Sequence, residues 1–270
     1  MTRPYAEVIG DPVGHSKSPI IHNFWLRTLG IDADYRKTAV PPAALADFVA
    51  SRRADPAWRG CNVTIPHKVA VMNHVADPGG VRASIGAMNT IARSDDGVLI
   101  GTNTDAGGFY MPLMGTDLEG AEVAVIGSGG AANAVLFALA RAGVGKVTVL
   151  ARNPLKAMGL IARFGLSGRA LALDAPLPAA RLLVNASPLG MTGQPPLDID
   201  LSPLADDAIV YDIVYAPLVT PLLAAADARG LDTIDGLHML VGQAALAFEL
   251  FFGVPPPEDR DEELRELLTR

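Results

Sequence analysis

The chain has few of the features that mark secreted or membrane proteins. Its 270 residues include a single cysteine, Cys61, which excludes an internal disulfide framework and favours a reducing compartment. No stretch approaches the roughly 18 uninterrupted apolar residues of a membrane span, and no apolar run of signal-peptide length follows the residues from Met1 to Pro4. These absences predict a soluble, cytoplasmic protein.

Basic residues are too few and too scattered to favour nucleic acid as a partner. The chain carries 22 Lys and Arg against 29 Asp and Glu, a formal charge of -7, with no compensating basic cluster. Half of the residues are hydrophobic and 19% are charged, which is typical of a globular protein, and the length predicts about two domains.

Strand and helix patterns alternate along the chain, which predicts an α/β protein with parallel sheets. The predicted strands are 6–10, 33–40, 60–65, 87–93, 98–103, 121–126, 146–150, 182–185, 208–214 and 232–234. The predicted helices are 18–29, 43–52, 67–74, about 131–142, 154–164, 221–229 and 236–252, with a connecting helix from about Asp105. The acidic stretch 258–266 is interpreted as the solvated face of a terminal helix.

A glycine-rich turn in the middle of the chain predicts a nucleotide site. The buried strand pattern 121–126 is followed by Gly127-Ser128-Gly129-Gly130-Ala131-Ala132 and then by a helix pattern, the setting of a dinucleotide-binding loop. The first glycine allows the tight turn, and the second allows a pyrophosphate to approach the helix N-terminus. The alternative is a glycine turn with a structural role only.

The residues after the second strand of this unit favour NADP over NAD. An acidic residue there would bind the ribose hydroxyl of NAD, whereas a basic residue accommodates the 2′-phosphate of NADP. The chain has Ala151, Arg152, Asn153 and Lys156 at this place and no carboxylate. Arg152 offers a planar fork suited to phosphate, although an ordinary surface arginine would look the same.

Several polar clusters outside the nucleotide unit are candidate substrate contacts. Ser16 and Ser18 precede a helix pattern, where their hydroxyls suit a small carboxylate, although Ser18 also suits an N-cap with Pro19 at the first helical position. Thr64 and Lys68 follow a strand, where ligand sites of α/β sheets gather, but Lys68 alone would pass for a solvated lysine.

Three more elements carry isolated polar groups within apolar surroundings. Asn89 and Asp105 lie in the segments 86–90 and 101–108, and Asp105 would also suit a helix cap. Tyr215 follows the strand pattern 208–214, and Gln243 is a lone amide in an apolar helix, where it must satisfy backbone groups or face a ligand.

Taken in order, these motifs resemble the shikimate dehydrogenase family between Gly10 and Gly253. The resemblance is carried by the motifs 10–23, 62–68, 86–90, 103–105, 127–131, 185–191, 211–215 and 236–240 and by Gln243. It implies two α/β domains with a cleft between them, a substrate domain of residues 1–105 plus 237–270 and a Rossmann-type NADP domain of residues 106–236.

The same resemblance implies the reaction and the roles of residues. The reaction is reversible reduction of 3-dehydroshikimate to shikimate by NADPH, a step towards chorismate and the aromatic amino acids. Lys68 and Asp105 are the implied catalytic acid/base pair. The implied substrate contacts are Ser16, Ser18, Thr64, Lys68, Asn89, Asp105, Tyr215 and Gln243. The implied cofactor contacts are Gly127, Ser128, Gly129, Gly130, Ala131, Ala151, Arg152, Asn153, Lys156, Ala186, Ser187, Met191, Ile213 and Gly236.

Three positions depart from the family pattern. Ala151-Arg152-Asn153 stands for Asn-Arg-Thr, which keeps the cation but loses polar neighbours and weakens the expected preference for NADP over NAD. Thr102 stands where an aspartate is common, and His238 stands where a small residue is common. Because His238 begins the helix that carries Gln243, substrate preference is the property that it affects.

The sequence also bears on rival functions, on metal binding and on oligomeric state. One alternative is a quinate dehydrogenase of relaxed substrate or cofactor preference, which crowding around the substrate carboxylate at Ser16, Ser18 and Tyr215 would decide. Another is a non-catalytic NADP-binding sensor, which would be expected to lack Lys68 or Asp105, but both are present. A folate-type dehydrogenase would have no use for Ser16 and Ser18. No metal is expected, because the histidines lack clustered acidic or thiol partners. A monomer and a homodimer both remain open.

Overall fold

A computed structural model describes residues 3–270. The strands are β1 (Tyr5–Gly10), β2 (Asp34–Ala39), β3 (Trp58–Val63), β4 (Thr90–Arg93), β5 (Leu99–Thr102), β6 (Glu122–Ile126), β7 (Lys146–Ala151), β8 (Gly168–Ala172), β9 (Leu182–Asn185), β10 (Ile209–Asp212) and β11 (Asp232–Ile234). The helices are α1 (Ser18–Thr28), α2 (Leu45–Arg53), α3 (Val81–Ser84), α4 (Asp105–Tyr110), α5 (Gly130–Arg141), α6 (Pro154–Arg163), α7 (Pro221–Asp227), α8 (Gly236–Phe252) and α9 (Asp261–Thr269). Backbone contacts divide the chain into a first unit, the residues up to Thr104 with Val241–Arg270, and a second unit, Asp105–Leu240.

The first unit contains a five-stranded sheet in the order β2-β1-β3-β4-β5. β1 pairs in parallel with β2 and β3, but β4 and β5 are antiparallel to their neighbours, so the prediction of parallel pairing is wrong for these two strands. The short turn between β4 and β5 accounts for their antiparallel pairing with each other. In this turn Ser94 N–H donates to the carbonyl of Val98, and Gly97 adopts a φ of +83°. A tight turn joins antiparallel strands, whereas parallel strands need a long crossover.

The helix predicted over 67–74 is a single 3₁₀ turn at Ala70–Asn73. In an α-helix the carbonyl of Lys68 would accept the N–H of Met72. It accepts the N–H of Met88 instead, at 2.8 Å, and Met72 N–H bonds to Val69. Lys68 therefore lies in an irregular turn whose backbone is attached to the segment before β4.

The sequence did not predict α3 or β8, and the acidic tail has a buried face in addition to the expected solvated one. α3 is a single turn, and β8 is an edge strand with exposed residues, so neither gives a clear apolar pattern. The acidic tail forms α9, in which Leu264 and Leu268 are buried. The ammonium of Lys17, at the start of α1, donates to the carbonyl of Leu268, which fixes α9 beside α1.

The second unit contains a six-stranded parallel sheet in the order β11-β10-β9-β6-β7-β8. Chain order reverses direction between β6 and β9, which is the topological switch point where ligands bind in open α/β sheets. Gly127 follows β6 and Ala186 follows β9, so both lie at the carboxyl edge of this switch point. Among residues 3–270, no helix is long and apolar enough to cross a membrane.

Candidate active site

The two outer glycines of the Gly127-Ser-Gly129 turn serve different purposes. Gly127 has a φ of +112°, and a Cβ there would lie 2.8 Å from the carbonyl oxygen of Ala186, so the fold itself requires glycine. Gly129 has a φ of -88°, and a Cβ there would meet nothing within 4 Å. Protein packing does not explain Gly129, whereas a pyrophosphate at the N-terminus of α5 does, because a Cβ would occupy the space that this group needs. The loop therefore fits a dinucleotide.

A cleft of about 590 Å³ opens from this loop at the carboxyl edge of the parallel sheet. It brings together nine of the predicted cofactor residues: Gly127, Ser128, Gly129, Ala151, Arg152, Asn153, Lys156, Ala186 and Ser187. The remaining predicted cofactor residues do not line it: Gly130, Ala131, Met191, Ile213 and Gly236. Gly130 and Ala131 form the first turn of α5, and a Cβ at Gly236 would lie 2.5 Å from the carbonyl oxygen of Ile213.

Five lining residues were not predicted from the sequence: Leu173, Pro188, Leu189, Gln194 and Pro195. Four of these belong to the segment after β9, whose compact fold brings Gly190 N–H to the carbonyl of Pro195 at 2.8 Å. Pro188 and Leu189 stand within the motif 185–191, which was the available signal. Leu173 follows β8, the strand that sequence analysis did not detect.

The residues after β7 give the cleft a cationic rim. The side-chain oxygen of Asn153 accepts the N–H of Lys156 at 3.0 Å and so caps α6, which leaves the side-chain amide group for a ligand. Ala151 is buried, whereas Arg152 and Lys156 are exposed. Among the described residues, the fourteen that line the cleft include no carboxylate, so its charge suits the 2′-phosphate of NADP.

In the first unit, Ser16 and Ser18 begin a chain of hydrogen bonds. The hydroxyl of Ser16 donates to that of Ser18 at 3.2 Å and accepts the N–H of Ser18 at 3.3 Å. The predicted capping role of Ser18 is wrong, because Lys17 already has helical backbone angles and occupies the N-cap without a side-chain bond. Both hydroxyls therefore remain at the helix N-terminus, where a carboxylate is favoured.

The chain of hydrogen bonds continues from Ser18 through three residues absent from the predicted site, Tyr35, Asn62 and Thr90. Ser18 donates to the phenol of Tyr35, which donates to the amide oxygen of Asn62 at 2.6 Å. The Asn62 amide group donates to the hydroxyl of Thr90 at 3.2 Å, which donates to Asn89 at 3.2 Å. Burial raises the pKa of Tyr35, so the phenol stays protonated and keeps its donor role.

Asn89 forms the other end of this chain of bonds. It is 3% exposed, and its amide group donates to the hydroxyl of Thr104 at 2.9 Å and to the side-chain oxygen of Gln243 at 3.4 Å. Gln243 therefore contacts another residue of the predicted substrate site. The structure thus connects the elements that carry Ser16, Ser18, Asn89 and Gln243.

The implied catalytic residues, Lys68 and Asp105, lie in two different segments of the chain. Lys68 is half-buried and follows β3, and the half-buried Thr64 precedes it in the same turn, where its carbonyl accepts His67 N–H at 2.9 Å. Asp105 is 5% exposed and is the first residue of α4.

Tyr215 and His238 belong to the second unit. Tyr215 follows β10 and is partly buried, and this burial raises the pKa of its phenol. His238 is half-exposed, and its Nδ1 lies 3.3 Å from a carboxylate oxygen of Asp235. The same oxygen accepts the N–H of Leu237 at 3.0 Å, so His238 is attached to the start of α8.

Comparison with known proteins identifies the family. The curated shikimate dehydrogenase (NADP(+)) of Sphingopyxis alaskensis is 71% identical over 266 residues, which cover 98% of this chain and 97% of that protein. The chain belongs to the shikimate dehydrogenase family. Family models match it as the shikimate dehydrogenase substrate binding domain over residues 8–91 and as the shikimate 5'-dehydrogenase C-terminal domain over residues 236–264.

Solved structures similar to this chain have the same fold. The shikimate 5-dehydrogenase of Thermus thermophilus, in complex with NADP(H) and shikimate, is 38% identical with a TM-score of 0.84, and the alignment covers 98% of this chain and 99% of that one. The ligand-free 5-ketofructose reductase of Gluconobacter sp. strain CHM43 is 30% identical with a TM-score of 0.88, covering 99% of each chain. The expected α/β architecture with a Rossmann-type unit is confirmed.

Proposed function

We propose that this protein is an NADP-dependent shikimate dehydrogenase, which interconverts 3-dehydroshikimate and shikimate on the route to chorismate and the aromatic amino acids. The observation that carries the proposal is the 71% identity, over 98% of the chain, to a curated enzyme of that name. The cationic rim at Arg152 supports the choice of NADP.

Two groups of hydrogen-bonding residues suit the two parts of the substrate. The hydroxyls of Ser16 and Ser18, with the phenol of Tyr215, are donors for the carboxylate. The polar groups of Thr64, Asn89, Asp105 and Gln243 suit the ring hydroxyls, which both donate and accept hydrogen bonds. These residues, together with Lys68, constitute the proposed substrate site.

NADPH, when bound, supplies a hydride to the carbonyl carbon of 3-dehydroshikimate. Negative charge then grows on the carbonyl oxygen, and a positioned donor must stabilise and protonate it. We assign this role to the ammonium of Lys68, which transfers one proton to that oxygen to complete the hydroxyl of shikimate. Asp105 orients Lys68, and in the reverse direction Lys68 accepts the proton.

Initial rates with shikimate and with quinate, each against NADP and NAD, test the proposal. Shikimate with NADP is expected to give the highest kcat/KM. Quinate has an additional tertiary hydroxyl beside its carboxylate, which must fit against Ser16, Ser18 and Tyr215. A higher kcat/KM with quinate would contradict the substrate assignment, and a higher value with NAD would contradict the cofactor assignment.

A reductive assay with 5-ketofructose and NADPH completes this test, because a reductase of that ketone is 30% identical to this chain over 99% of its length. 5-Ketofructose lacks the carboxylate that the Ser16 and Ser18 hydroxyls suit. Its reduction is therefore expected to be much slower than that of 3-dehydroshikimate.

We propose a cytoplasmic location for this protein. The buried Cys61, which forms no disulfide, supports this location.

A further inference from the structure

A fully buried carboxylate, Asp212, lies at the end of β10 in the second unit, and the proposed chemistry does not use it. One oxygen accepts the side-chain amide of Asn185 at 2.9 Å and the backbone N–H of Val214 at 3.0 Å. The other accepts the hydroxyl of Thr220 at 2.7 Å. These three donors belong to the ends of two neighbouring strands and the segments beyond them, so Asp212 joins the segments that follow β9 and β10.

Through Asn185, Asp212 is connected to the wall of the cofactor cleft. The side-chain oxygen of Asn185 accepts both the N–H of Ser187, at 3.1 Å, and its hydroxyl, at 2.7 Å. The amide group of Asn185 also donates to the carbonyl of Leu189 at 3.0 Å. Ser187 and Leu189 line the cleft. Asn185 is itself fully buried and does not line the cleft, so it holds this segment from the protein interior.

Through Val214 and Thr220, Asp212 is connected to the segment that carries Tyr215. Its bond to Val214 N–H fixes the residue directly before Tyr215. Its bond to Thr220 fixes the other end of the segment, where the same hydroxyl caps α7 by accepting Leu223 N–H at 3.3 Å. The two segments also contact each other directly, because Thr192 N–H donates to the carbonyl of Ala216 at 2.7 Å.

We propose that Asp212 is a positioning residue that holds the cofactor wall and Tyr215 in their binding geometry at the same time. This inference rests on the proposed function, because that function assigns Tyr215 to the substrate carboxylate. Without Asp212, each segment samples other conformations. The apparent affinity for a ligand falls by the fraction of molecules in the competent conformation, so one substitution weakens both ligands.

The environment of the Asp212 carboxylate, which combines full burial with three hydrogen-bond donors, supports a role beyond packing. Burial raises its pKa, while the bonds from Thr220, Val214 and Asn185 oppose that rise by favouring the charged form. Asp212 has three donors and no cationic partner among residues 3–270, so the arrangement is sensitive to the loss of any one donor. An apolar side chain would fill the space, but it would leave those donors without an acceptor.

The test compares Asp212→Asn with variants at two other positions. An amide can accept through one atom only, so Asp212→Asn keeps the shape but loses one of the two accepting oxygens. If that variant does not fold, Thr220→Val removes only the bond to the second oxygen and the cap, and Thr220→Ser restores both. Leu222→Ala, at a buried residue of α7, is the control for destabilisation without loss of these bonds.

Two constants are measured in Asp212→Asn and Thr220→Val: the Kd for NADPH, from its fluorescence, and the KM for shikimate. Each is expected to rise about tenfold, the rise that follows if about one tenth of the molecules have the binding-competent conformation. The kcat is expected to change less, because both ligands restore the geometry when they bind. Thr220→Ser is expected to stay near the wild-type values. Leu222→Ala is expected to lower the Tm with both constants near wild type.

Three results would overturn the inference: constants within twofold of wild type in both Asp212→Asn and Thr220→Val, equal increases in Leu222→Ala, or an increase for one ligand only. Failure of the proposed function is recognised separately, because the wild-type protein would then show no activity with shikimate. In that case the Kd for NADPH still decides whether Asp212 holds the cofactor wall.

Discussion

The side-chain oxygen of Asn89 accepts the backbone N–H of Thr104 at 2.7 Å. Thr104 directly precedes Asp105, so this bond fixes the backbone from which the Asp105 side chain leaves. The residue before Asn89, Met88, donates its own N–H to the carbonyl of Lys68 at 2.8 Å. Two adjacent residues therefore hold the backbones of both proposed catalytic residues, although these are far apart in the sequence.

Removing the Asn89 side chain tests this arrangement. In Asn89→Ala, kcat/KM for shikimate is expected to fall about 100-fold, the size of effect that a misplacement of about 1 Å produces in an active site. The Kd for NADPH is expected to remain unchanged, because the cofactor cleft lies in the other unit. Asn73→Ala, at an exposed residue of the first unit, is the control. Wild-type kinetics in Asn89→Ala would remove this residue from the site.

The outer glycines of the nucleotide loop should respond differently to the same substitution. Gly127→Ala places a methyl group 2.8 Å from Ala186 at a φ of +112°, so the free energy of unfolding is expected to fall by about 2 kcal/mol or more. Gly129→Ala meets open space and should change stability by less than about 0.5 kcal/mol, but raise the Kd for NADPH at least about tenfold. Chemical denaturation and NADPH fluorescence measure both quantities. Equal destabilisation of the two variants would contradict the assignment.

Arg152 is expected to select the cofactor. In Arg152→Ala, the KM for NADP should rise about 10- to 100-fold, because a charge-assisted hydrogen bond contributes about 1.5–3 kcal/mol. The KM for NAD, which lacks the 2′-phosphate, should change little. Arg169→Ala, at an exposed arginine of the neighbouring strand β8, is the control. If the two cofactors are affected equally, Arg152 does not recognise the 2′-phosphate.

His22 should make stability depend on pH. It is fully buried and stacks on Tyr35 with ring centroids 4.0 Å apart, and its ring nitrogens have no hydrogen-bond partner among the described residues. Burial lowers its pKa from 6.5 to about 3. Between these values the unfolded chain binds a proton that the folded protein does not bind, so stability falls as the pH decreases.

The expected loss from His22 approaches about 1.4 kcal/mol per pH unit as the pH falls below 6.5. Other groups titrate in the same range, so the measurement is the difference between wild type and His22→Phe in urea denaturation at several pH values. The variant should show the smaller loss of stability on acidification. The same slope in both proteins would mean that His22 is protonated without cost in the folded state.

Local sequence signals predicted the nucleotide-binding loop well, but they did not predict the edge strand β8 or the direction of β4. The loop at Gly127, the strand before it and the helix after it give a clear pattern, because a turn and two periodicities coincide within one short stretch of chain. The edge strand β8 was missed, since its exposed residues lack an alternating pattern. The antiparallel pairing of β4 was missed because strand direction depends on the turn at Gly97 rather than on the strands themselves.

The site shows the same division between local and long-range information. Ser16, Ser18, Asn89 and Gln243 stand in recognisable motifs. In the sequence, Tyr35 is an ordinary residue of a predicted strand. It becomes part of the site because β2 pairs with β1, which brings the phenol of Tyr35 to Asn62. No local pattern encodes such a contact between distant segments. Asp212 lies within the motif 211–215, but its proposed role depends on three donors from different segments.

The proposed mechanism requires that the ammonium of Lys68 exchanges the proton in the reaction. Its most direct test is kcat for shikimate oxidation by Lys68→Ala and Lys68→Arg, with Lys146→Ala, at an exposed lysine of β7, as the control. Both variants of Lys68 should lose about 10²–10⁴ in kcat, because alanine has no proton to exchange and arginine holds its proton too tightly. The KM for shikimate should change much less, and Lys146→Ala should behave as wild type. A kcat near that of the wild type in Lys68→Ala would contradict the account.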